Sequence, residues 1–460
     1  MAPISNAGLS PEATRLLATM GEDIQRGMVP LWIMGNPEIY QMELDRIFAR
    51  NWIYMAHESE LPKNGDYLAR TIGEDPFIVV RGEDGRIRVL FDSCRHHGTR
   101  VCPADKGNTA TFLCPFHGWT YKNTGALSGV PNRKTSYKAL DDAEWGLIPA
   151  PRVENYRGMI FACLDRNVRP LHEHLGDYRW YLDIHLGLTE AGIEVIGEPH
   201  RWHIDADWKS GAENFSGDSY HTQTVHQSIL RVGLASPLAA GASGGRNDIH
   251  VTECSGHTTS IRRMDEGRHF FWGYPEEVTR LYRQGELSPA QFDLARRSIS
   301  HTGTIFPNLS LIHIGATDDP AKPNACYLSF RQWVPRGPGR MEVVSWVFAP
   351  KEASAEYKDR AYKVAVSSFS PSGNFEQDDS IIWSGIARAA RGSFAKRMDI
   401  KLNDQMGQKG MSDAHLIDDW PGPGEVYDTN LEDGVQRTFF RHWYRAMAGD
   451  TAGGKLRKTA

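Results

Sequence analysis

Apolar residues recur at helical spacing near both ends of the chain and in a few internal stretches, and alternate or cluster as in strands between them. Leu16, Leu17 and Met20 share one face of a helix predicted over residues 11–27. Asn36-Pro37 opens a second helix running to Asn51, since proline suits a first helical turn. From residue 52 to 165 the texture is one of short β runs. Phe77–Val80 and Ile87–Phe91 flank Glu83-Asp84-Gly85, a hairpin signal, and turn residues recur at Lys106-Gly107-Asn108, Asn123-Thr124-Gly125 and Val130-Pro131-Asn132. Beyond residue 165 the pattern predicts helices over 171–188, 208–230, 289–300 and 435–447. Strands are predicted over 193–205, 304–306, 309–314, 326–334 and 341–348, the last three suited to an antiparallel sheet. The small-residue run Gly241–Gly245 reads as a loop, and residues 449–460 read as a disordered tail. The expected fold class is α+β. An all-β domain over 52–165 is inserted into a larger domain made of residues 1–51 and 166–448, with a central antiparallel sheet and helices around it.

The composition narrows the function without naming it. With 460 residues, 40% hydrophobic and 24% charged, the chain is ordinary globular material that needs no disulfide staples. Lys plus Arg number 52 against 57 Asp plus Glu, which argues against a dedicated nucleic-acid binder. No apolar run approaches the ~20 residues of a membrane helix. The amino terminus lacks the basic and apolar regions of a signal peptide, and six cysteines are too few for a disulfide scaffold. The reading is a cytoplasmic protein that does not act at a membrane.

Two constellations carry chemistry. Cys94-Arg95-His96 is followed, after seventeen intervening residues, by Cys114-Pro115-Phe116-His117-Gly118-Trp119. Four such ligands fit zinc or a Rieske [2Fe–2S] centre, in which two Cys hold one iron and two His the other. Zinc fingers pair Cys with Cys and His with His, whereas here each loop brings one of each, which favours the iron–sulfur reading. Gly98 and Gly118 supply the turns. His97 is expected to face backbone or solvent, and Cys102 to be a buried thiol.

The second constellation is Asp218-Ser219-Tyr220-His221 followed by His226. On an ideal helix His221 and His226 stand about 140° apart, with Asp218 between them, so they meet at one ion only if the helix is distorted. Two imidazoles and one carboxylate make the facial triad of non-haem Fe(II) oxygenases. The third ligand is sought in Asn374-Phe375-Glu376-Gln377-Asp378-Asp379.

With these motifs in this order, together with Phe306-Pro307-Asn308, the chain resembles the large (α) subunit of Rieske non-haem iron aromatic-ring-hydroxylating dioxygenases of the naphthalene, biphenyl and phthalate group. The resemblance implies that residues 52–165 are the Rieske domain and 166–448 the catalytic domain. Cys94, His96, Cys114 and His117 would bind [2Fe–2S], and His221, His226 and Asp379 the mononuclear Fe(II). Asp218 is the implied catalytic residue, bridging a cluster histidine and an iron histidine between protomers. Asn214, Phe215, Thr222, His301, Ser368, Phe369 and Phe375 match pocket positions. His97 and Phe116 depart from the arginine and tyrosine common there.

The implied activity is that of a terminal oxygenase adding both atoms of O2 to an aromatic ring to give a cis-dihydrodiol. The implied partners are a small β subunit in an α3β3 hexamer, a ferredoxin and an NAD(P)H-dependent reductase. The chain itself shows no Gly-rich nucleotide fingerprint, so its electrons must arrive from another protein. Arg246, His257, Arg262 and Arg263, with Ser219, Gln223 and His313, are expected to make the pocket polar, which favours an aromatic carboxylate of phthalate or terephthalate type. The alternatives are an aromatic hydrocarbon substrate and a Rieske electron-transfer protein without oxygenase activity.

Overall fold

In the computed structural model, which describes residues 11–234, 247–408, 411 and 414–449, the chain divides into two units, Phe48–Leu171 and the residues on either side of it. The smaller unit is built from three antiparallel sheets. The predicted hairpin is there: Asp75–Arg81 pairs with Ile87–Phe91, Phe77 opposite Phe91. Asp66–Ile72 and Lys106–Asn108 complete that sheet. A second sheet joins Thr111–Leu113, Thr120–Lys122 and Leu127–Gly129. Their shared core of Ile78, Val80, Leu90, Phe112, Trp119 and Tyr121 also buries Cys94, Cys102 and Cys114.

The larger unit is organised around a nine-stranded antiparallel sheet. Its central strands Leu309–Ala316, Ala325–Pro335 and Met341–Pro350 are buried at every position, so both faces are covered. The helices Trp208–Asn214 and Ala355–Phe369 lie against Ala325–Pro335, and Gly434–Ala448 lies against the hairpin Ile249–Cys254/His257–Arg263. Gly211 permits the close approach of the first helix, because a Cβ there would come within 2.4 Å of the Trp333 ring.

Several expectations change. The helix expected over 208–230 is three short pieces, Trp208–Asn214, Thr222–Val225 and Gln227–Arg231. The break follows from Gly217, whose φ of 138° ends helical geometry and lets the chain press against Ser260. The strand expected over 193–205 is likewise two, Ile193–Val195 and His200–Ile204. The second N-terminal helix, Pro37–Glu43, continues as a π-helical turn over Leu44–Phe48. The 241–245 loop and the tail from residue 450 lie outside the described residues.

On one face of the large sheet, three buried histidines form a hydrogen-bonded chain whose proton order follows from its end. Ser298 Oγ donates to the Leu294 carbonyl at 2.7 Å, so it must accept from His301 Nε2 at 2.8 Å. His301 Nδ1 then accepts from His185 Nε2 at 3.0 Å, and His185 Nδ1 accepts from His313 Nδ1 at 3.1 Å. The Tyr274 hydroxyl donates to His313 Nε2 at 2.9 Å. Each ring is neutral with one donor and one acceptor. Burial pushes His185 down to about 3, and burial with neighbouring imidazoles pushes His301 and His313 well below their ordinary range.

A depressed histidine contributes stability that is full above the unfolded value near 6.5 and is lost as pH falls toward the folded value. Buried acids such as Asp404, raised to about 7 by burial and the charge of Asp433, push the other way, so the test is a difference between proteins. The destabilisation caused by His185→Gln should shrink by about 1.4 kcal/mol between pH 7.5 and 5.5, because the variant has one fewer histidine to keep neutral. Denaturant titrations of both proteins at the two pH values check this. An unchanged difference would mean that His185 is not held neutral.

Candidate active site

The two motif loops of the smaller unit repeat one backbone pattern. Cys94 N–H donates to the Thr99 carbonyl and Gly98 N–H to the Cys94 carbonyl; Cys114 and Gly118 do the same with Trp119 and Cys114. Gly98 and Gly118 both take positive φ, 81° and 73°. Each loop therefore buries its cysteine, 3% and 2% exposed, while carrying its histidine outward. His96 Nδ1 and His117 Nδ1 face each other at 3.2 Å, and His96 stacks parallel on Trp119. The Tyr137 hydroxyl lies 3.2 Å from the outer nitrogen, His96 Nε2. Tyr121 Oη lies 3.3 Å from Cys94 Sγ and accepts from Arg95 N–H. His97 is exposed, as expected, with a donor atom within 4.8 Å of those of His96 and His117.

The donor set discriminates between the two metals. A single tetrahedral zinc would need all four donors close together. Among the described residues, no group of three or more with donor atoms within 4.8 Å of one another joins a cysteine to these histidines. A sulfur pair inside and a nitrogen pair outside is what a two-iron cluster needs, so the residues fit [2Fe–2S]. Cys102 is a buried thiol pushed up to about 11 by burial and the nearby Asp92 charge.

In the larger unit, the interruption of the helix at His226, whose φ of −97° and ψ of 17° leave helical geometry, resolves the angular problem of the two histidines. His221 and His226 stand at the two ends of the single turn Thr222–Val225. Their Nε2 atoms face each other at 3.3 Å, and Asp379 Oδ1 lies 3.2 Å from His226 Nε2 and 3.7 Å from His221 Nε2. Asp379 comes from the helix Asn374–Ala390. Two imidazole nitrogens this close, capped by a carboxylate in a buried position, fit a divalent metal.

The outer nitrogens are also addressed. Asp218 Oδ2 lies 3.2 Å from His221 Nδ1, which sets the tautomer that leaves Nε2 unprotonated. Burial alone would raise the Asp218 carboxyl, but the hydrogen bond and charge of His221 hold it below the usual carboxylate range. Burial would lower His221, but Asp218 holds it above the ordinary value. Asp378 lies 3.5 Å from His226 Nδ1. The two consecutive acids thus serve different nitrogens: Asp379 meets the converging pair and Asp378 the outer edge of His226.

These groups border a cleft of about 630 Å³. Asn214, Phe215, Thr222, Phe369 and Phe375 line it, together with Asp218, Ser219, His221, His226 and Asp379. Phe369 and Phe375 stack 5.0 Å apart, and Phe375 meets the His226 ring edge-on. His301 and Ser368 are not among the lining residues. Strand alternation turns His301 into the histidine chain while Ser300 and Thr302 face the cleft. Ser368 donates to its own helix at Val364 O. Ile312 and Ile314 complete the lining and His313 faces away, by the same alternation.

Of the polar residues expected to cover the pocket, Ser219 and Arg262 reach it. His257 is buried between His174 O and Phe306 N–H, Arg263 donates to Asn247 O over the Trp420 ring, and Gln223 is exposed. Arg246 lies outside the described residues. Arg262 is 5% exposed, with Asp248 at 3.7 Å as its ion-pair partner. Ser300 and Thr302 were missed in the sequence, although their alternation with His301 was a usable signal.

Residues 51–155 match the family described as the Rieske [2Fe-2S] domain, and residues 172–449 match the ring hydroxylating alpha subunit (catalytic domain). The chain is 34% identical to the N,N-dimethyl phenylurea N-demethylase subunit alpha of Sphingobium sp. (strain YBL2), over 93% of each chain. It is also 34% identical to the biphenyl dioxygenase subunit alpha of Paraburkholderia xenovorans (strain LB400), over 95% of this chain and 94% of that one. Among solved structures, naphthalene 1,2-dioxygenase from Rhodococcus sp. bound to indole superposes with a TM-score of 0.90 at 40% identity, covering 97% of this chain and all of the other. No helix among the described residues is long and apolar enough to cross a membrane.

Proposed function

Because the chain belongs to the ring-hydroxylating alpha-subunit family, oxidoreductases with a Rieske [2Fe–2S] centre and a mononuclear non-haem iron, we propose residue assignments for both centres and a substrate class. Cys94, His96, Cys114 and His117 hold the cluster, and His221, His226 and Asp379 hold the iron. When bound, the cluster supplies single electrons and the iron activates O2, chemistry that in this family adds both oxygen atoms to an aromatic ring to give a cis-dihydrodiol.

The remaining work falls to the polypeptide. Asp218 fixes the ring of His221, and its side chain, 18% exposed, keeps an outer edge open to a further hydrogen bond. We assign that edge to a cluster histidine of a neighbouring protomer. Phe215, Phe369 and Phe375 give the cleft an aromatic wall against which a planar ring packs, and Ile312 and Ile314 exclude water from it. In keeping with the multicomponent relatives, we assign the chain a small β subunit in an α3β3 assembly, a ferredoxin and an NAD(P)H-dependent reductase. None of the six cysteines is paired in a disulfide, which suits a reducing cytoplasm.

The substrate reading is an arene carrying a carboxylate, such as phthalate or terephthalate, and one observation carries it. Arg262 places a buried guanidinium in the wall of a cleft that, apart from Asn214, Asp218 and the His221/His226/Asp379 set, is lined by aromatic, aliphatic and hydroxyl-bearing side chains. A planar fork of donors there matches a carboxylate. A second reading, an uncharged hydrocarbon, is favoured by Asp248, which already offers Arg262 a carboxylate at 3.7 Å. Single turnover of the reduced protein with phthalate, terephthalate and naphthalene side by side decides between them. The acid reading expects product from an aromatic acid, and a loss of about 30-fold or more in kcat/KM for that acid in Arg262→Met. Product from naphthalene alone, unchanged by Arg262→Met, would return Arg262 to a structural pairing with Asp248.

A further inference from the structure

Beneath the cleft wall, on the side away from the substrate, Arg331 and Glu376 form a wholly buried ion pair: Arg331 Nη2 donates to Glu376 Oε2. The guanidinium carbon lies 4.7 Å from the Phe215 ring centroid and 5.2 Å from that of Phe369, with Trp333 and Trp202 at 4.9 and 5.5 Å. Its Nε and Nη1 are buried with no hydrogen-bond partner. A buried ion pair so incompletely bonded is a poor way to gain stability, because desolvation outweighs what one hydrogen bond returns. Its position points to another role.

Glu376 and Asp379 lie one turn apart on the helix Asn374–Ala390, close enough for the charge of Asp379 to act on the Glu376 carboxyl. That helix begins without a side-chain cap. Its N-cap is Gly373, where a Cβ would come within 2.3 Å of Ser368 O, so a capping side chain has no room. The first turn, on which the placement of Asp379 one turn later depends, is tied down by Arg331 through Glu376 instead. The same guanidinium packs on Phe215, three residues before Asp218 in the segment that carries His221 and His226.

We propose that Arg331, through Glu376, is the positioning residue that sets Asp379 against His221 and His226, anchoring both ligand-bearing segments to the central sheet. This rests on the reading of Asp379 as a metal ligand. Arg331 is not among the residues lining the cleft, so the test reads metal affinity and folding separately. Co(II) is titrated into protein stripped of its mononuclear metal but retaining the cluster, and its d–d absorption gives the dissociation constant. Thermal unfolding is followed on the same samples.

Glu376→Gln, which keeps volume and one hydrogen bond, and the double variant Arg331→Met/Glu376→Leu, which removes both charges, should each bind Co(II) about tenfold or more weakly. The double variant should recover most of the Tm lost in Arg331→Met alone, because no unpaired charge stays buried. Wild-type Co(II) affinity in a folded double variant would overturn the proposal, and so would wild-type affinity in Glu376→Gln if the double variant fails to fold. Asp379→Ala is the control: if it leaves Co(II) affinity unchanged, the ligand reading fails and the proposal falls with it.

Discussion

Asp379→Ala is expected to reduce iron from about three to about two per chain and to leave the visible spectrum of the [2Fe–2S] centre intact, since a Rieske cluster keeps both its irons. Turnover should fall by about a thousandfold or more, because the oxygen chemistry leaves with the metal. The expectation rests on a geometry that few other arrangements would need. Two imidazole nitrogens sit 3.3 Å apart with one carboxylate oxygen within 3.7 Å of both. Without an ion, each nitrogen would do better turned toward a donor. Asp378 supplies the contrast, because it meets His226 only at the outer nitrogen. Asp378→Ala should keep the third iron at saturating Fe(II) and lower metal affinity or turnover by about 10–100-fold, the usual effect of losing a ligand's outer partner. Iron and labile sulfide per chain, measured with single-turnover yield, separate the two variants. If Asp378→Ala lost the iron and Asp379→Ala kept it, the ligand assignment would be reversed.

The second large effect is expected at Asp218. Asp218→Ala should keep both metal centres when iron is supplied in excess, since the three donors to the mononuclear site remain, and should lose turnover by about a hundredfold or more. In the folded chain Asp218 accepts from Tyr220 N–H, His221 N–H, Asn214 Nδ2 and the His221 ring, so it fixes both the backbone and the tautomer of one donor. Asp218→Asn is the informative companion. It preserves shape but cannot accept from Nδ1 and backbone with the same charge, so it should resemble alanine in turnover rather than wild type. Activity close to wild type in both variants, with metals intact, would remove Asp218 from the function and leave it a local structural bond.

The chemistry was more legible in the sequence than the shape that delivers it. The Cys94/His96 and Cys114/His117 loops and the His221/His226 pair were readable as candidate ligands because metal donors are few in kind and their spacing is restrictive, whereas Asp379 was told from Asp378 only by the family resemblance. That the 208–230 helix had to be distorted was legible, because the roughly 140° between the histidines on an ideal helix forbids their meeting at one ion. The second interruption, at His226 itself, had no such signal. The pocket was harder still. His301 and Ser300 are adjacent in sequence yet face opposite sides of one strand, so the wall could be named only once the strand's direction was known. Among the polar residues expected there, Arg262 and Arg263 are divided by the same alternation. Arg331 and Glu376 carried no sequence signal, since a buried ion pair joins residues far apart in the chain.

One measurement bears on the whole account: a single turnover of the fully reduced protein under 18O2, with the aromatic substrate it accepts best and mass analysis of the product. Because one relative of equal identity is an N-demethylase, the isotope count matters more than the rate. One product is expected, a cis-dihydrodiol carrying both labelled oxygen atoms, from wild type and not from Asp379→Ala. A product with a single labelled oxygen, or a dealkylated product, would contradict ring dioxygenation while leaving both metal sites in place.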